Sequence, residues 1–264
     1  MTKLLSFSKI SFKEALSYKF EVFLWMVAVP VGLAVYYFLW KSIYSYTGQE
    51  VIRGFTLSEL LSYFVLIEIV AYIVWSNADQ RLARKVYTGD LVVPLVRPVK
   101  IYFNYLFHRF GRLLFFIPIN TTIFAFIGIY FFDMKAASLA HIGLFVLSIF
   151  LSIMLVYSFV FLLGISAFWL KDFTGLHLIK QGIIWLVGGG LAPLVFFPKL
   201  AQQILALLPF QYMLYAPAQI FLGNFTMTEI YQVLAIQVIW TVLLCVFIHF
   251  AWKKAMLKFS GVGA

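Results

Sequence analysis

Residues 141–169 read HIGLFVLSIFLSIMLVYSFVFLLGISAFW, twenty-nine consecutive positions without Asp, Glu, Lys or Arg. As a helix this run is about 43 Å long, more than the roughly 30 Å apolar core of a bilayer. A helix apolar on every face has no side to turn toward water, so the run reads as a membrane span. Five further apolar runs flank it, at about Phe20–Trp40, Leu57–Ser76, Arg109–Phe132, Gly182–Phe197 and Ile230–Trp252. The 264-residue chain as a whole is 64% hydrophobic and 11% charged, with a mean hydropathy of +0.98. A water-soluble domain of this length needs more polar surface. The expectation is an all-α membrane protein, a single domain over 1–264 with six transmembrane helices. The first run continues through Tyr36-Tyr37-Phe38-Leu39-Trp40 with no small-residue cleavage site, so it reads as a retained helix.

The connections set the orientation. Placing the N-terminus, the 77–112 and 169–181 connections and the C-terminus on one side collects sixteen of the twenty Lys and Arg residues there. Lys41, Arg53, Lys135 and Lys199 fall on the other side. The positive-inside rule then predicts that both termini are cytoplasmic. The net charge of +10 is thereby read as a topology signal, helped by anionic head groups, and not as a nucleic-acid surface. Aromatic residues near span ends, such as Trp25, Trp40, Trp75, Trp169 and Trp252, suit the membrane interface.

Four segments are not plain spans. Residues 1–19 set Leu5, Phe12, Leu16 and Phe20 on one face among four lysines, which predicts an interfacial helix. The 77–112 connection starts as a short helix with Leu82 and Val86 four apart, stops at Thr88-Gly89-Asp90, and carries Pro94 and Pro98. Such a shaped basic loop is a candidate docking surface. The fifth run reaches only about 24 Å, short of the roughly 30 Å apolar core, and Gly188-Gly189-Gly190 with Pro193 predicts that it ends early or breaks. Residues 198–223, with Pro198, Pro209 and Pro217, are apolar but too interrupted for a span, so they are expected to form re-entrant helices on the extracellular side.

Recognisable chemistry is scarce. Gly188-Gly189-Gly190 lacks the Gly-Lys-Ser/Thr of a phosphate-binding loop. His108, His141, His177 and His249 have no acidic or cysteine partner at ligand spacing, and Cys245 is expected to be a small buried side chain. No metal site and no catalytic residue is expected. Glu68, in the middle of the second span, is the exception. A carboxylate there costs about 2.5–3.5 kcal/mol on insertion scales and should face protein or water. It is a candidate for the translocation path, or a structural acid partnered by Asn120 or a tyrosine; Asn120 is a weaker candidate of the same kind.

Two segments resemble a known family. Thr88-Gly89-Asp90-Leu91 with Pro94-Leu95-Val96-Arg97-Pro98 is similar to a Gly-Glu-Leu, Leu-Leu, basic-Pro pattern, with Asp90 in place of Glu and valines for some leucines. The run from Gly189 to Gly223, through Pro193, Phe196-Phe197-Pro198, Leu208-Pro209-Phe210, Tyr212, Pro217-Ala218 and Leu222-Gly223, is similar to a signature between the last two spans. Together they resemble the six-helix permease subunits of type-2-class ABC exporters, in the subgroup that works in pairs beside a separate ATPase. The resemblance implies that residues 77–100 couple to the ATPase, with Asp79, Arg81, Arg84, Gly89, Asp90 and Arg97 as candidates. It implies that 198–223, with Pro198, Pro209, Phe210, Tyr212 and Pro217, form the extracellular re-entrant pair. ATP and Mg would reside on a cytoplasmic ATPase dimer, with no cofactor on this chain. A second permease, identical or homologous, would complete the path in the plasma membrane, the inner membrane of a bacterium. The aromatic-rich neutral spans suit a lipophilic or amphiphilic cargo. A secondary transporter or channel would call for internal repeats or several intramembrane charges, and a membrane enzyme for clustered polar residues at one face; neither pattern is present.

Overall fold

The computed structural model, which describes residues 19–96, 99–135 and 138–259, is built mainly of helices. The expected interfacial helix at 1–19, apart from Lys19, lies outside the described residues, as do Arg97 and Pro98. Helix α1 (Lys19–Thr47) leads through a small hairpin, β1 (Val51–Ile52) and β2 (Phe55–Thr56), into α2 (Leu57–Val74). Arg53 and Gly54 take the two positive-φ positions of that tight turn. Two short helices follow, α3 (Ala78–Thr88) and α4 (Val92–Leu95), then the long α5 (Ile101–Phe132) and α6 (Leu139–Ile165). Next come α7 (Thr174–Val187), α8 (Lys199–Ala206), α9 (Tyr215–Leu222) and α10 (Met227–Lys258). Single 3-10 turns at Ser166–Phe168, Leu194–Phe196 and Phe210–Tyr212 join some of these.

The helix starts are written locally. Thr56 and Glu59 form a capping box on α2: the Glu59 carboxylate accepts from the Thr56 N–H at 2.8 Å, and the Thr56 hydroxyl accepts from the Glu59 N–H at 3.3 Å. Thr226 and Glu229 repeat the device on α10. Helix α6 is the hub, packing against α10, α3, α9 and α2, while α2 also packs against α5 and α1. Among the described residues, three segments are long and apolar enough to cross a membrane: Leu57–Thr88, Leu139–Phe168 and Met227–Lys258.

The fold is helical as expected, apart from the two-residue strands of the hairpin. Other expectations need correction. Helix α5 starts at Ile101, eight residues before Arg109, so the connection after α2 is shorter than 77–112. Helix α7 starts at Thr174 rather than Gly182, which makes most of the expected 169–181 loop helical. Asp172 is the local cause: its carboxylate accepts from the Thr174 N–H at 3.1 Å and hydroxyl at 2.9 Å. Those bonds, the backbone one first, hold the Asp172 carboxyl below the usual carboxylate range. Helix α7 ends at Val187, where the glycine run turns the chain. Cys245, expected to be buried, is exposed on α10.

Candidate functional site

The site forms where α2 ends. Trp75 turns extended (φ −60°, ψ 138°), which leaves the last α2 carbonyls without helical donors. Two cations from other elements reach carbonyls here, one in the last turn of α2 and one just past it. The Arg109 guanidinium of α5 donates to the Ile73 carbonyl, and the Lys180 ammonium of α7 donates to the Ser76 carbonyl at 3.4 Å. Positive charge at a helix C-terminus is favoured by the helix dipole. Lys180 Nζ also lies 5.6 Å from the Trp75 ring centre, within cation–π range.

Helix α3 begins immediately after this break and brings an anion. Asp79 Oδ2 accepts from Lys180 Nζ at 2.9 Å and meets His177 Nδ1 at 2.8 Å. The Asp79 side chain is 0% exposed and the Lys180 side chain 1%. Gln181 Nε2 stands 2.8 Å from His177 Nε2. Lys180 Nζ stands 3.2 Å from the same His177 Nδ1, so that ring nitrogen faces a carboxylate and an ammonium together. Asp79 Oδ1 is buried with no hydrogen-bond partner among the described residues. The cluster therefore joins the end of α2, the start of α3 and the first turns of α7, residues about a hundred positions apart in the chain. Removing one partner of such a buried pair strands the other charge, at a typical cost of about 3–5 kcal/mol.

The rest of α3 is amphipathic. Its inner face, Ala78, Leu82 and Ala83, is buried against α6, with Ala83 packing beside Ala167 and Phe173. The approach to α6 is close: a Cβ on Gly164 would stand 2.9 Å from Asp79 Cα. The outer face exposes Gln80, Arg81 and Arg84. Gly89 (φ +76°) stops the helix, and Asp90 Oδ2 accepts from the Thr88 hydroxyl at 2.7 Å. Beyond it Leu91 and Pro94 are buried while Val92, Val93 and Val96 are exposed. The neighbouring Trp169, Leu170, Lys171 and Asp172 are exposed as well.

Asp79, expected on the docking surface, is instead internal, whereas Arg81, Arg84 and Asp90 lie on the surface and Arg97 is outside the described residues. Glu68 is half-buried on α2 between the buried Ile67 and Ile69, and Asn120 is buried on α5. In the 198–223 segment Pro198 is exposed at the start of α8, Pro209 is buried ahead of the 3-10 turn, and Pro217 is buried within α9. Phe210 meets Phe159 edge-on at 5.3 Å. The Tyr212 carbonyl accepts from the Ser152 hydroxyl at 3.0 Å and Gln237 Nε2 at 2.9 Å, and its own hydroxyl donates to Ala206 at 2.9 Å.

His177, Lys180 and the Ser148–Ser152–Gln237 group were missed from the sequence. A signal existed for each: His177, Lys180 and Gln181 share one face of α7, and Ser148 and Ser152 stand one turn apart on α6. Among the described residues no group of His, Cys, Asp and Glu could hold a metal ion. Compared with known families, residues 31–263 match the model described as an ABC-2 family transporter protein. No curated protein matches the chain.

Proposed function

The chain belongs to the ABC-2 family of transporter proteins, an integral membrane component and not itself a catalyst, and on that premise we propose that it is the permease of an exporter driven by a separate ATPase subunit. The observation that carries this reading is α3: a short helix held rigidly on its inner face, with Arg81 and Arg84 on its outer face and exposed valines just beyond. Such a surface suits a partner with acidic and apolar contacts. The exposed 169–172 segment extends it, so docking involves both. MgATP binds on the partner, since this chain offers no phosphate-binding loop.

The rest of the proposal is built around that placement. Helices α1, α2, α5, α6, α7 and α10 make six passes, with both termini and α3 cytoplasmic in the plasma membrane. Helices α8 and α9 are the re-entrant pair on the far side, and two permeases, identical or homologous, enclose the path. ATP-driven closure of the ATPase dimer pushes α3 and biases the bundle between two states. Glu68 and Asn120 line the path, and the cargo is lipophilic or amphiphilic.

Site-directed crosslinking in a chain lacking Cys245 tests the reading. Cysteines at Arg84 and Trp169 are expected to crosslink to a co-purifying ATPase, and Thr88→Cys to resist an impermeant reagent added to intact cells. Labelling of that cysteine from outside, or ATP hydrolysis by the isolated chain, would overturn it.

A further inference from the structure

Helix α7 is tied at two levels to elements that are distant in sequence. In its first half, His177 and Lys180 hold Asp79 of α3 inside the protein. Past its end, the Gly188 carbonyl accepts from the Tyr215 N–H of α9 at 3.0 Å, and the Gly189 carbonyl accepts from the Tyr63 hydroxyl of α2 at 2.6 Å. Lys180 and Gly188 are eight residues apart along this helix and its end, about 12 Å. The α9 end is joined onward to α6 and α10 through Ser152, Gln237 and the Tyr212 carbonyl. A charged tie within the helix, its last two turns, and one backbone and one side-chain hydrogen bond past its end make a continuous mechanical connection.

We propose that the buried Asp79–His177–Lys180 cluster locks α3 to α7, so that displacement of α3 is carried along α7 to the α8–α9 segment. Asp79, His177 and Lys180 are positioning residues for transport and do not touch the ATPase or the cargo. The inference rests on the reading of α3 as the element the ATPase pushes. Its chemistry fits a fixed joint. The Lys180 charge is answered by the Asp79 carboxylate, the Ser76 carbonyl and the Trp75 ring, and the close approach at Gly164 leaves α3 little room to slide on α6. A hinge would instead need exposed, weakly held contacts.

The decisive variant removes both charges, Asp79→Asn with Lys180→Met, so that no unpaired charge remains inside. A reporter cysteine replaces Leu207, which is 77% exposed beyond α8, in a chain with Cys245→Ala. In the parent complex, ATP is expected to change the labelling rate of that cysteine. In the variant the ATPase is expected to bind and hydrolyse ATP within about twofold of the parent, while the ATP-dependent change in labelling falls at least fivefold. Lys180→Arg, which keeps the charge, should retain most of the change. Should the double variant not assemble, His177→Leu serves, leaving the Asp79–Lys180 pair in place; at least a halving is expected. An undiminished change in labelling in the variant overturns the inference, as does a parent whose Leu207→Cys rate is indifferent to ATP. Loss of the ATPase from the parent preparation would instead strike at the permease reading itself.

Discussion

Gly189→Ala tests how tightly the turn after α7 is built. Gly189 has φ +90°, a region where a side chain is strained by about 1–3 kcal/mol. An added Cβ would stand 2.8 Å from the Tyr63 hydroxyl oxygen and 3.0 Å from Tyr215 Cβ. Tyr63 is fully buried and donates to the Gly189 carbonyl, so its ring cannot retreat without breaking that bond. A lost buried hydrogen bond adds about 1–3 kcal/mol. The expected destabilisation is therefore about 2–6 kcal/mol, measured by reversible SDS unfolding in mixed micelles. In a Tyr63→Phe background the hydroxyl is already gone, and the backbone strain of about 1–3 kcal/mol and the approach to Tyr215 remain. The two substitutions should thus couple by about 1–3 kcal/mol. Gly143→Ala is the control: a Cβ there meets nothing within 4 Å, and alanine in a helix should stabilise by about 0.5–1 kcal/mol. The reasoning fails if Gly189→Ala unfolds with the parent, or costs the same with and without the Tyr63 hydroxyl.

Gly89→Val should strain the end of α3 by about 1–3 kcal/mol because Gly89 sits at φ +76°, whereas Gly89→Asn should be milder; transport per ATP hydrolysed is the readout, and equal coupling in both variants would contradict the turn's role. Gln237→Leu removes a neutral donor to the Tyr212 carbonyl and should cost about 0.6–2 kcal/mol in SDS unfolding, with faster labelling of Leu207→Cys; slower labelling would refute it. Glu68→Gln should reduce export of cationic cargo without loss of assembly, and unchanged export would make Glu68 a structural acid. Charge reversal at Arg81 and Arg84 should weaken ATPase binding, with a smaller loss at high salt because exposed pairs are already screened there; a loss that salt leaves unaltered would point to a buried contact.

The membrane class was legible because it rests on length and hydropathy, which need no tertiary knowledge. The stop at Gly89 and the break at the glycine run were legible for a similar reason, since both are local backbone chemistry. Helix starts were misjudged where polar residues begin an apolar helix. Ile101 to His108 and Thr174 to Gln181 read as connection because they carry charge or amides, yet Asp172 nucleates α7 several residues early. The Asp79–His177–Lys180 cluster was illegible in one dimension: Asp79 looks like an ordinary surface residue of a polar helix, and only the fold closes a separation of nearly a hundred residues. Cys245 failed for a different reason. Small apolar side chains are usually buried in water-soluble proteins, but a bundle whose solvent is lipid places them on the outside without penalty.

The placement of charge also bears on the orientation argument. Sixteen basic residues were assigned to the cytoplasmic side, but Lys180 is buried in the ion cluster and Arg109 caps α2 from within α5. Both have structural work that would fix their positions whatever the membrane potential or lipid charge. Without them fourteen basic residues still face four, so the bias behind the proposed topology does not depend on these two. The two ends of the bundle then differ in how they are held. Around α3 the ties are ionic and buried, and breaking one strands a charge at about 3–5 kcal/mol. Around α9 they are neutral, Ser152 and Gln237 to the Tyr212 carbonyl, and interhelical bonds of that kind in membranes average about 0.6 kcal/mol. A body fixed by strong ties at one end and weak ones at the other yields at the weak end when pushed. On the proposed reading of α3, the end that receives force is the stiff one, and the neutral ties at the α8–α9 end are the ones that yield.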